Sequence, residues 1–434
     1  MRALALFALL VTLSIAAPAA SQVQRTCDGY PRADIGMAPG FCAGVVVAPA
    51  APRLLRRPRS LVQLSNGDWI VSDLGAWGAP RGALYRLRAR PGRQPELTRL
   101  IDGLYLPHAL ALGPGGRVYV GEMSRIFRFD PMAPNPAATI EPVITGLPDN
   151  RLHDNRHPLS KFVFARDGAL IVNVGARSDQ CLNADGRRPG EACPERSVAD
   201  RDAEAGVLRR YAPNGAGGWR KDFTILARGL RNSVALAMHP SGTLLQGENS
   251  YDIPARWAPY DEINLIAGGH RGPPDFGWPY CDAQNNPSPG WPAPTRSLPH
   301  CSDRTLRPVL LLPPHAAPLD MLWYDGAMFP QLRGRLLMTW HGYRSTGGRV
   351  VAFETDARGV PIARPNARYP IYGGAPRAYR WSPSADALVL TPGWGATKTR
   401  KQGTPVGLAV AADGAIWVAD DKAGRILRIA VDRP

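Results

Sequence analysis

One short pattern is written six times along this chain: an apolar run, a tight turn containing glycine, then a second apolar run, which in four copies ends in Asp or Glu. The copies occupy residues 60–73 (SLVQLSNGDWIVSD), 109–122 (ALALGPGGRVYVGE), 161–175 (KFVFARDGALIVNVG), 235–248 (ALAMHPSGTLLQGE), 320–341 (DMLWYDGAMFPQLRGRLLMTWH) and 407–420 (GLAVAADGAIWVAD). Each reads as a β-hairpin, since alternating apolar positions flank a turn that tolerates positive φ. A single hairpin cannot bury both of its faces. Stacking the copies around a central axis covers both and leaves only short edges. The repeat therefore predicts an all-β fold, a six-bladed β-propeller with long loop insertions.

Further strands are expected at 124–129, 206–211, 349–353 and 425–429. The turn glycines stand at 67, 116, 168, 242, 334 and 414, and their spacing grows from about 50 to about 90 residues. The surplus falls in 176–205, 250–310 and 357–400, and long loops on a rigid scaffold are the expected home of function. Composition agrees with many short strands: 45 Gly and 44 Pro in 434 residues, without a collagen period and with 44% hydrophobic content.

Arg2, an apolar run at 3–17 and small residues at 17–22 follow the order of a secretory signal peptide, with cleavage expected after Ala19 or Ser21. The expected organisation is a signal peptide at 1–21, an N-terminal extension at 22–54 and a propeller at 55–434. No later run is apolar enough to span a membrane, so the expected location is periplasmic or secreted. Cysteines at 27, 42, 181, 193, 281 and 301 then read as disulfides. The pairs Cys27–Cys42, Cys181–Cys193 and Cys281–Cys301 are expected because each brackets a Pro/Gly-rich loop, among the roughly 15 pairings that six cysteines allow. No C-x-x-C or C-x-x-C-H occurs, which argues against a metal or c-type haem role for them. The net charge of +16 is spread along the chain. It reads as a solvated basic surface that steers acidic substrates, cofactors or redox partners, with no nucleic acid implied.

G-x-S-x-G, Walker A, H-E-x-x-H and a Rossmann G-x-G-x-x-G are all absent, so hydrolase, nucleotide and dinucleotide readings lack sequence support. The densest segment runs Gly229-Leu230-Arg231-Asn232, Gly247-Glu248-Asn249-Ser250-Tyr251-Asp252, Asp261-Glu262-Ile263-Asn264-Leu265-Ile266 and Phe276-Gly277-Trp278-Pro279-Tyr280-Cys281. His157 precedes the third hairpin, Ala317-Pro318 and His341-Gly342 flank the fifth, and Thr404-Pro405-Val406-Gly407-Leu408 opens the sixth. In this order the motifs resemble the glucose/sorbosone dehydrogenase family: soluble six-bladed quinoproteins that use pyrroloquinoline quinone (PQQ) with calcium. The resemblance covers roughly residues 55–430. The Tyr280-Cys281 loop, with its second cysteine at 301, looks most like the L-sorbosone dehydrogenase branch.

The resemblance implies a role for each matching residue. His157 would be the general base that takes a proton from a sugar hydroxyl while hydride passes to the quinone, a task suited to a group titrating near neutral pH. Arg231 would stabilise charge on a quinone oxygen, with Asn232 beside it. Asn249 would touch the cofactor, and Ser250 and Tyr251 would offer backbone carbonyls to calcium, which favours oxygen ligands. His341 and Arg344 would meet the cofactor's carboxylates. His108 stands near the same mouth. Without the resemblance, each of these is equally an ordinary loop or turn residue.

Two positions depart from the family pattern. Gly175-Ala176 stands where a Gly-Asp commonly orients the histidine, leaving Asp179 or Asp154 as substitutes. Thr404 stands where an arginine commonly faces the cofactor, with Arg400 or Lys401 nearby. The function expected is a secreted PQQ- and calcium-dependent dehydrogenase of a sugar or sugar-derived aldehyde or hydrate, of L-sorbosone or aldose type. It would pass electrons to an external acceptor, a quinone or cytochrome. The alternatives are a calcium-dependent sugar lactonase, whose ligands would be strand-end carboxylates such as Asp73, Glu122, Glu248 and Asp420, and a non-catalytic binding propeller.

Overall fold

The computed structural model describes residues 25–49, 54–78, 80–148, 157–159, 161–181, 193–196, 204–253, 258–288, 301, 305–342, 347–364, 384–392, 394 and 403–433, and the backbone at 368–369 and 377–378. It contains six four-stranded antiparallel sheets, the blades of a propeller. Their innermost strands are Pro58–Gln63, Leu110–Leu112, Phe162–Phe164, Ala235–Met238, Pro318–Trp323 and Pro405–Val410, one from each copy of the repeat. Among the described residues helix is confined to short 3-10 turns and to an α-helical position at Cys301.

The second strands show why the repeat must be copied. Trp69–Asp73, Val118–Glu122, Leu170–Val174, Leu244–Glu248, Leu336–Trp340 and Ile416–Asp420 are buried at every residue. A strand buried on both faces needs a partner on each, and the neighbouring blades supply them. Trp69 of blade one stacks on Trp417 of blade six at 4.3 Å, and Tyr119 of blade two meets Phe164 of blade three edge-on at 5.1 Å. Each large ring buried this way contributes a few kcal/mol, at about 25 cal/mol per Å² of apolar surface. At the tip of the sixth hairpin, Gly414 adopts φ +89°, and a Cβ there would lie 2.4 Å from the Met328 amide nitrogen. Glycine is required on both counts.

Blade six is assembled from both ends of the chain. Its inner three strands are Pro405–Val410, Ile416–Asp420 and Arg425–Val431, and the fourth is Phe41–Val47. The segment set apart in the sequence as an N-terminal extension thus contributes the strand that closes the ring. Cys27 and Cys42 are bonded, tying the small hairpin of Thr26–Cys27 and Tyr30–Pro31 to this strand. Arg428 donates to Asp28 at 2.9 Å across a separation of 400 residues.

All three expected disulfides form. The Cys181–Cys193 and Cys281–Cys301 bridges meet in one small apolar cluster with Ala176, Tyr251, Trp278 and Tyr280. The insertions of blades three and four therefore share a core of their own, beside the strand ends at one mouth of the propeller. The long insertion after residue 357 holds Ala387–Val389, the outer strand of blade five.

Candidate active site

Motif residues from the starts of first strands and from just beyond the second strands gather at one mouth, because successive hairpins run in the same sense around the axis. There a cavity of about 600 Å³ is lined by His157, Arg231, Asn232, Asn249, Ser250 and His341. Arg57, Arg59, Trp77, Asp252, Asp261 and Asp421 complete much of its wall. Tyr251 follows Ser250 with its side chain turned into the disulfide-bonded cap, where its hydroxyl donates to the Pro279 carbonyl at 3.0 Å. Arg344 lies outside the described residues, as do Asp154, Arg400 and Lys401.

His157 is buried, and its Nδ1 lies 2.7 Å from the carbonyl oxygen of Ala176. A carbonyl only accepts, so Nδ1 carries the hydrogen and Nε2 the lone pair of the neutral ring. The backbone at 176 thus fixes the tautomer that an aspartate side chain was expected to fix. Close approach is possible because residue 175 is glycine; a Cβ there would lie 2.4 Å from the His157 carbonyl. The same residue reaches into blade four, where the Ala176 N–H donates to the Arg231 carbonyl at 2.7 Å.

Asp179, which the sequence left open as a replacement for the missing aspartate, does not take that place. Its carboxylate is held by Arg231 instead, at 2.9 Å from Nε and 2.6 Å from Nη2. Nη1 of Arg231 donates to the Asn249 carbonyl at 2.9 Å, and Asp252 lies 3.2 Å from Nη2. Three partners around one planar group fix its orientation in the cavity wall. Asn249 in turn donates through Nδ2 to Pro318 of blade five at 2.7 Å and to Asn232 at 3.1 Å.

The strand-end carboxylates serve the backbone. Glu248 accepts the N–H groups of Arg231 (3.0 Å) and Asn232 (2.5 Å) and the hydroxyl of Ser233 (2.9 Å), so it holds the Arg231-Asn232 turn in place. Asp73 likewise accepts from Arg56 and Arg57, Glu122 from Tyr105 and Asp420 from Thr404. This is a device repeated from blade to blade, in which the end of the second strand anchors the segment entering the first. It leaves the lactonase reading without its ligand set. Among the described residues no cluster of three or more His, Cys, Asp or Glu is arranged to hold a metal.

Burial also shapes the titration of this wall. Asp261 accepts from the Ser250 and Ala317 amides at 2.8 and 2.6 Å, and burial pushes its carboxyl up to about 7. Its neighbour Glu262 is pushed by burial to about 8. Glu248 is raised in the same direction for the same cause.

A second node lies across the mouth. Asp421 receives Arg59 Nη1 at 2.8 Å, the Thr404 hydroxyl at 2.6 Å and His341 Nε2 at 3.2 Å. Burial alone would raise this carboxyl; His341, Arg59 and Thr404 outweigh it and hold Asp421 well below the usual range. Arg59 Nε donates to Nδ1 of His108 at 3.2 Å. Burial first, then the charge of Arg59, lowers His108 well below the usual histidine range, which suits an accepting, neutral ring.

The TrAA12-like family matches residues 35–432, nearly the whole of the described chain. The chain belongs to that family. Among relatives of this TrAA12-like protein is a pyrroloquinoline quinone-dependent pyranose dehydrogenase from Coprinopsis cinerea, 24% identical over 93% of the chain and 56% of the relative. The chain thus spans about half the length of that curated protein. The holo form of the PQQ domain of pyranose dehydrogenase from the same organism superposes with TM-score 0.67 and 19% identity, covering 93% of this chain and 99% of that one. A calcium structure of the Trichoderma reesei Carbohydrate-Active Enzymes Family AA12 protein gives TM-score 0.68 and 18% identity, covering 95% and 100%.

Sequence reasoning did not single out Arg57, Arg59, Trp77 or Asp421 in this TrAA12-like chain. Arg57, with Arg56, sits ahead of the first hairpin at the position that Arg231 and Asn232 hold ahead of the fourth, and that equivalence was the available signal for it; Arg59 lies just inside the strand that follows. Asp421 directly follows the strand-end Asp420. The doubled carboxylate was the only local sign that one of the pair points to the mouth.

Proposed function

We propose that this chain is a secreted quinoprotein dehydrogenase that oxidises a sugar or sugar-derived aldehyde or hydrate, of aldose or L-sorbosone type, using PQQ and calcium. The observation that carries the reading is the shared cavity of about 600 Å³, where a tautomer-fixed His157 faces the same space as Arg231, Asn232 and His341. The donor set suits a planar, polycarboxylated quinone: guanidinium and amide groups are matched to carboxylates and to an oxygen that gains negative charge. Arg231, Asn232, Asn249 and His341 would hold the cofactor, with Arg344 a further candidate. The wall formed by Ser250, Tyr251 and the Asp252 and Asp261 carboxylates is rich in oxygen, as calcium requires, and the backbone carbonyls of Ser250 and Tyr251 would be its ligands.

PQQ, when bound, supplies the hydride acceptor. His157 takes the substrate's hydroxyl proton at Nε2, and its fixed tautomer keeps that lone pair toward the reaction. Arg231, clamped by Asp179 and the Asn249 carbonyl, keeps a positive charge where oxygen becomes anionic. Electrons leave to an external quinone or cytochrome. Export is supported by the signal-like residues 1–21 and by three disulfides, which persist in oxidising compartments. Among the described residues no helix is long and apolar enough to cross a membrane.

The test is reconstitution. The purified protein is titrated with PQQ and calcium, following cofactor absorbance and then dye reduction with a panel of aldoses, sorbosone and sugar lactones. Calcium-dependent uptake with sugar-driven reduction supports the reading. Absence of uptake sinks it and leaves a binding propeller.

A further inference from the structure

We propose that Arg59 is an anion-binding residue of the cavity that grips a carboxylate of the cofactor, with Asp421 and His108 as its positioning residues. This rests on the quinoprotein reading and adds to it a contact from blade one. Arg59 is only 4% exposed and lines the cavity, on a different blade from Arg231 and the other cofactor candidates. A guanidinium carries its donors in a rigid plane. Two of those donors are fixed by neighbouring side chains: Nε by His108 at 3.2 Å and Nη1 by Asp421, itself part of the wall, at 2.8 Å. Fixing both sets the plane of the whole group without motion of the long side chain, the arrangement expected of a preorganised anion site.

The partners are built for holding rather than for neutralising. Asp421 is not Arg59's alone, since Thr404 and His341 reach the same carboxylate. His108 accepts as a neutral ring, so it adds no second positive charge behind the guanidinium. Thr404 brings a hydroxyl to this node, and Arg59 is the side chain that brings a permanent cation.

A structural ion pair would show similar geometry, and the experiment separates the two roles. Apo protein is titrated with PQQ by calorimetry in the presence of calcium, for wild type, R59Q, R59K and the double variant R59Q/D421N, with melting temperature recorded for each. R59Q is expected to weaken PQQ binding about tenfold or more, the scale of a hydrogen bond between charged partners. R59K is expected to recover part of the loss. The double variant removes the stranded buried charge and is expected to restore the melting temperature while PQQ binding stays weak. Recovery of binding in the double variant, or R59Q binding within about twofold of a PQQ-binding wild type, overturns the role of Arg59 alone. A wild type that takes up no PQQ removes the quinoprotein reading and this proposal with it.

Discussion

His157 and Ala176 are joined by a contact of 2.7 Å between an imidazole nitrogen and a backbone carbonyl, so the orientation of the ring depends on main chain. Replacing His157 by Ala should lower turnover roughly 10²- to 10⁴-fold, the usual worth of a general base, while PQQ affinity stays within a few-fold. Steady-state dye reduction and a PQQ titration on the same preparation check this. Retained turnover would remove His157 from the chemistry.

Gly175→Ala tests the same contact from the other side. The added methyl would meet the His157 carbonyl at 2.4 Å and must displace the histidine segment. Turnover should fall at least tenfold with a smaller change in PQQ affinity, because Arg231, besides its carbonyl contact with Ala176, is anchored by Glu248 and Asp179. Equal losses in turnover and cofactor affinity would show that the two halves of the site are not separable.

Asp179→Asn removes the charge that holds Arg231 but leaves an amide of similar shape. Loss of a charge-assisted hydrogen bond predicts a fall of about tenfold in kcat/KM. Measured beside Arg231→Lys, the aspartate variant should show the smaller defect. If D179N is as active as wild type, the carboxylate does not position Arg231.

Glu262 gives a pH prediction. Its carboxyl is held near 8 in the folded chain and titrates in the ordinary range when unfolded, so the folded state binds the extra proton between those values. Stability is therefore fully present below about pH 4.5 and declines as pH rises toward 8, by an amount on the order of a few kcal/mol. Urea midpoints of the apo protein at pH 5 and pH 8 should differ in that direction, and E262Q should narrow the gap. An unchanged gap would assign the dependence to other groups.

The disulfides should divide by role. Cys181→Ser with Cys193→Ser loosens the cap beside Asp179, and it should reduce activity more than it lowers the melting temperature. Cys27→Ser with Cys42→Ser loosens the closing strand and should do the reverse, costing about 3 kcal/mol of stability. Thermal melts and dye-reduction assays on both pairs decide it.

The propeller was legible in the sequence because each hairpin is a local object: its turn glycine and alternating apolar residues lie within about fifteen residues of one another in five copies and within 22 in the fifth blade. Phe41–Val47 was not legible as part of blade six, since its partner Arg425–Val431 lies at the far end of the chain and FCAGVVV carries no mark of that pairing. The site divides the same way. Arg231, Asn232 and Asn249 sit in a dense local motif, and the structure gathers them at one mouth. The Asp179–Arg231 pair spans 52 residues and Arg59–Asp421 spans 362, and no local pattern announces either. Ala176 shows a different limit: the missing side chain was visible, but a sequence does not display the carbonyl that does the orienting instead.

The closure of blade six sets an order of events. Phe41–Val47 is made early, yet the edge it must join does not exist until Arg425–Val431 has been made. For almost the entire synthesis of the chain this apolar strand has no sheet to enter, and five blades can form while the ring stands open. Completion of the circle therefore reports that synthesis has passed Arg425–Val431: a product truncated before that strand keeps an unpaired FCAGVVV segment, the kind of exposed edge that quality control and proteases recognise.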